Sequence, residues 1–87
     1  MEKTFVVSTA IVANVGDLAD CGVIQKNAND VALVAAVMMK MLKRWLQPTP
    51  TDDDLLAMDL PDAMPLFMAV TSEIRNQITV AATTPTR

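Results

Sequence analysis

The residues able to do chemistry in this chain are few, and their spacing is that of structural elements. Ten acids are present, and five crowd into one stretch as Asp52-Asp53-Asp54, Asp59 and Asp62. Adjacent carboxylates suit a hard cation, yet calcium takes about six to eight oxygens converging from several directions. Thr51 directly before the run gives a simpler reading, a capping-box-like helix start with the acids at the positive end of the dipole. Cys21 is the sole cysteine and histidine is absent, so neither an intrachain disulfide nor a zinc site of the usual kind can be written. A general base poised near neutral pH is most often histidine, and tyrosine is missing too. Ser8 and Ser72 have no local base and no strained glycine turn, and Gly16 and Gly22 alone make no phosphate-cradling loop. The expectation is a protein that is not an enzyme and holds no metal or cofactor.

What remains is recognition. Ten acids against seven bases give a net charge of −3 and a pI near 4.5, which argues against general phosphate-backbone binding. The one basic cluster, Lys40, Lys43 and Arg44, falls at the end of a helical stretch, where the helix dipole favours cations. Hydrophobic residues are 52% of the chain, rich for 87 residues that should form one small domain. Methionine stands out at positions 38, 39, 41, 58, 64 and 68. Its flexible thioether fills core gaps, and it also recurs on surfaces that accept varied partners.

These residues need elements to carry them. Residues 3–15 are dense in β-branched side chains, which suggests a strand, with Gly16–Asp20 as a turn and residues 21–26 as a short returning strand. A helix through residues 5–15 is the competing reading, because alanines interrupt the alternation. Asn29 or Asp30 caps a helix over residues 30–46 that is apolar almost all round at first and basic near its end. Pro48 and Pro50 stop it. Positions 31, 34, 35, 38, 42 and 45 form one face, expected inward, with Leu33, Val37 and Met41 extending from the other side. A helix apolar on all sides needs cover on all sides, and so short a chain has little to give, which implies a partner or a second copy.

A short helix is expected over about 52–58 and a closing helix over about 63–78, with Asp62 as its cap and Pro65 in its first turn. Leu66, Phe67, Val70, Ile74 and Ile78 make its apolar stripe, and residues 79–87 are expected to fray. The fold class is thus α+β, mainly helical, with a short N-terminal β-hairpin or strand before three helices. The charged start and apolar run of residues 1–15 only echo an export signal, since Asp17 and Asp20 flank the supposed cut beside Cys21. No apolar run reaches the ~18–20 residues of a membrane span. A cytoplasmic protein is expected.

The β-rich start, the capped segment Asn29-Asp30-Val-Ala-Leu-Val34 and the stretch from Thr51 to Val70 together resemble small bacteriophage tail assembly chaperones. That resemblance covers about residues 29–78 and implies a strand region followed by a helical half. It also implies a cytoplasmic protein of the host cell that binds the aggregation-prone tape-measure protein, or a tail-tube subunit, during tail assembly. Val37, Met38, Met41, Trp45, Phe67 and Met68 are the candidate contact residues, each with core packing as its competing role. Three alternatives stand beside it: an anti-CRISPR-like inhibitor using the acidic face of Asp52–Asp54, Asp59 and Asp62, a structural homo-oligomer of a virion, and, disfavoured by the missing histidine, an enzyme of unfamiliar type.

Overall fold

The computed structural model describes residues 4–83, with side chains through residue 81. Strand β1 (Val6–Val7) leads through an extended segment into helix α1 (Val15–Lys26), followed by α2 (Val31–Trp45) and β2 (Leu46–Gln47). Helices α3 (Asp52–Ala57) and α4 (Leu60–Thr83) complete the chain. The architecture is α+β and mainly helical, with a short N-terminal strand before the helices.

Local sequence sets most boundaries. Asn14 and Asp17 form a reciprocal capping box at α1, the Asp17 N–H donating to Asn14 Oδ1 and the Asn14 N–H to Asp17 Oδ2, each at 2.9 Å. Residues 16–20, expected as a turn, and 21–26, expected as a returning strand, are therefore one helix. Residues 8–14 are neither helix nor strand. Asp30 caps α2 by accepting from the Leu33 N–H at 3.1 Å. Thr51 and Asp54 cap α3 reciprocally, as their spacing predicts. Helix α4 begins three residues before the expected 63, because the Asp59 carbonyl accepts from the Asp62 and Ala63 N–H groups and starts the turn. Pro65 consequently lies inside the helix rather than in its first turn. The helix also runs past 78, so residues 79–83 are helical; the expectation for 84–87 lies outside the described residues.

The partner of β1 is β2, antiparallel, with Val6 opposite Gln47 and Val7 opposite Leu46. Gln47 precedes Pro48, and a residue before proline is pushed out of the helical region towards extended backbone. The chain leaving α2 is thus preset to accept a strand, and the Ser8 N–H continues the pairing onto the Trp45 carbonyl at 2.8 Å. Further along, Gln77 on α4 holds the extended segment. Its Oε1 accepts from the Ala13 N–H at 2.7 Å and its Nε2 donates to the Ile11 carbonyl at 2.9 Å.

One apolar cluster lies between α2 and α4, built from Met41, Leu42, Trp45, Leu46, Leu55, Val70 and Ile74. Leu66, Phe67 and Ile78 pack against it, so the apolar stripe read on α4 is the one turned inward. Of the face of α2 expected inward, Leu42 and Trp45 are buried and Met38 packs on the core. The helix is nonetheless turned so that Met41 is buried and Val37 packs there too, whereas Val31 and Ala35 are exposed. The molecule measures 49 × 31 × 18 Å. A helix with side chains is about 10–12 Å across, so the thin dimension holds two layers at most and every helix keeps an outer face.

Candidate protein-binding surface

Asp17 is the buried carboxylate of the described residues, 2% exposed, and α1 aims it at the end of α2. Arg44 grips it with two prongs, Nε to Oδ1 at 2.9 Å and Nη2 to Oδ2 at 3.0 Å. The Trp45 indole N–H donates to Oδ1 at 3.3 Å and the Asn14 N–H to Oδ2. An ionised carboxylate offers about four acceptor positions, and here each oxygen has two donors. Burial works against the Asp17 charge, but the bonds from Arg44, Asn14 and Trp45 outweigh it and leave the carboxyl below its ordinary value. Arg44 is held protonated in return by the Asp17 hydrogen bonds, sits 5.8 Å from the Trp45 ring centroid and also donates to the Val12 carbonyl. This cluster is a clamp between α1, α2 and the extended segment, with no acceptor left over for a substrate.

The other chemical candidates are similarly engaged. Lys40 pairs with Asp20 at 3.3 Å and Lys43 with Asp52, so all three cations of the basic cluster face a carboxylate. Cys21 packs against the core, and burial pushes its thiol up, away from the reactive thiolate. Ser8 is buried, its hydroxyl oxygen accepting from the Ala10 N–H at 3.2 Å. Among the described residues, no three Cys, Asp or Glu side chains converge on a common metal position. Among them too, no helix is long and apolar enough to cross a membrane.

The six candidate contact residues separate by burial. Met41 and Trp45 are core residues, at 1% and 0% exposure, and present no surface while the fold stands. Val37, Met38 and Phe67 are half-buried against that core. Met68 is exposed, at 63%. It does not stand alone, because Leu60, Met64 and Met68 recur every four residues and share one side of α4. Pro61 and Pro65 lie beside them, also exposed, and border an open groove of about 770 Å³ that continues over Phe5, Met58 and Leu66. Asp53, Asp54, Asp59 and Asp62 line the same groove.

A second open groove, about 520 Å³, lies at the other end of α4. Val12, Val15, Leu18 and Val80 line it and are all substantially exposed, and its lining includes no charged residue. Sequence reasoning found Met68 and the acidic residues of the first surface, but neither the rest of its apolar strip nor any of the second groove. The signal for the first was present, since Leu60, Met64 and Met68 are apolar yet fall off the Leu66–Val70–Ile74 stripe. The second joins residues from three parts of the chain and has no local signature. No family model, curated protein or solved structure matches this chain.

Proposed function

We propose that this chain is a small non-catalytic protein that binds and shields a helical protein client through the outer face of α4. The observation that carries this reading is the exposed strip of Leu60, Met64 and Met68, continued by Pro61 and Pro65. Apolar side chains recurring every four residues on an uncovered helix are the usual counterpart of an amphipathic helix laid alongside. Methionines let such a face adapt to several sequences. With the resemblance to phage tail assembly chaperones, the client is the tape-measure protein or a tail-tube subunit, met in the host cytoplasm.

Self-association is a second reading, favoured by the uncharged groove of Val12, Val15, Leu18 and Val80. It uses the opposite end of α4, so a homo-oligomer leaves the client face open.

The experiment is affinity capture from cells that express the protein natively, comparing the wild type with Met64→Asp/Met68→Asp. Recovery of a long helical tail protein by the wild type alone is the expected result. Recovery of a nuclease or nucleoprotein complex would replace this reading with that of an inhibitor.

A further inference from the structure

The chemistry of the client segment can be read from the charges around the strip. From Trp45 to Ile74 the sequence contains Asp52, Asp53, Asp54, Asp59, Asp62 and Glu73, and no lysine or arginine. Asp52 is paired with Lys43 at the margin. Asp53, Asp59 and Asp62 are exposed and line the groove into which Pro61, Pro65 and Leu66 project their apolar surface. Among the described residues that line the groove every charge is negative, and Arg75 lies beyond it towards the other end of α4. An apolar floor with an acidic rim selects its occupant twice, by burial and by charge.

We propose that the outer face of α4, together with the α3–α4 groove that Pro61 and Pro65 border beside it, takes a basic amphipathic helix. Its apolar side chains, spaced three and four apart, lie on Met64, Met68, Pro61 and Pro65, and Lys or Arg on its flanks reach Asp53, Asp59 and Asp62. This inference rests on the client-binding reading above and adds the charge and shape of the bound segment. A second copy of the chain does not fit the same face. A two-fold contact sets a patch against itself, which here brings these aspartates against their own equivalents. Anionic lipid and nucleic-acid phosphate are repelled by the same rim.

The test uses two dye-labelled amphipathic peptides of about 18 residues, one built from leucine and lysine and the other from leucine and glutamate. Fluorescence anisotropy with the full chain reads their affinities, and sedimentation velocity reads self-association. The leucine/lysine peptide is expected to bind at least about tenfold tighter, with affinity falling as salt rises. Asp59→Asn/Asp62→Asn should weaken it by roughly fivefold or more, and Met64→Asp/Met68→Asp by roughly tenfold or more. All four side chains are exposed, and circular dichroism checks that each variant keeps the wild-type helicity and melting temperature. Equal binding of the two peptides would overturn the charge assignment and leave the apolar client face standing. Binding of neither would overturn the client face as well. Leucine/lysine binding untouched by the methionine variants would reduce the effect to bare charge attraction and overturn the seating on the α4 face. A dimer that only the methionine variants dissociate would give the face to a second copy instead.

Discussion

Asp17 ties three segments together with four hydrogen bonds, and its environment makes it costly to lose. Asp17→Asn keeps the volume but removes the charge that Arg44 and the Trp45 indole address. A loss of about 2–3 kcal/mol is expected from urea denaturation at pH 7, scaled down from a fully buried pair because Arg44 remains partly solvated. The folded Asp17 carboxyl lies below its ordinary value, so its stabilisation is full above the unfolded pKa of about 3.9 and declines as pH falls through the folded value. The wild type and Asp17→Asn should therefore converge in stability on acidification below about pH 4. A gap that stays constant down to pH 2 would overturn the lowered carboxyl, because only equal proton affinity in the folded and unfolded chain leaves the difference independent of pH. Nothing in the sequence marked Asp17 as special. Its acid stood in what read as a turn, and its partners Arg44 and Trp45 are 27 and 28 residues away.

Single helices obey local rules here, which makes them predictable one at a time. Gly22 lies in the middle of α1, is exposed, and a Cβ added there meets nothing within 4 Å. Gly22→Ala should stabilise the protein by about 0.5–1 kcal/mol through reduced unfolded-state freedom, read as a rise of a few degrees in melting temperature. Thr51→Ala removes one half of the α3 capping box and should cost about 1 kcal/mol in the same measurement. The caps of α2 and α3 were legible because an Asx or Thr side chain and its N–H partner are three residues apart. The α1 cap uses the same spacing, Asn14 to Asp17, but Gly16 inside it reads as turn chemistry when the context is unknown. The reciprocal bonds show which reading wins.

At the scale of the whole molecule, two layers of helix leave two apolar surfaces at opposite ends of α4. They should be separable. If the uncharged groove mediates self-association, Leu18→Asp or Val15→Asp shifts sedimentation to the monomer, and Met64→Asp/Met68→Asp does not. Loss of self-association in the methionine variant alone would reverse the roles assigned to the two ends. The chain's shortage of cover for α2 was visible from length and composition. Val31 is 76% exposed and Leu33 36%, so the first turn of that helix is indeed open. Which residues of the candidate set face a partner was not visible. Met41 and Met68 are alike in type, yet one fills the core and the other points away from it.

The sequence by itself determined the helical character, the centres of α2, α3 and α4, the α3 cap at Thr51, an α2 cap at Asn29 or Asp30, and the inward stripe of α4. Each depends on residues three to eight positions apart, within the reach of a single helix. Tertiary structure alone decided that β1 pairs with the tail of α2, that α2 turns Met41 inward rather than Val31, and that Asp17 closes the bundle. These choices compare contacts between segments far apart in the chain, where pattern is nearly degenerate. On a helix apolar almost all round, periodicity does not select a buried face; the neighbours that pack against it do.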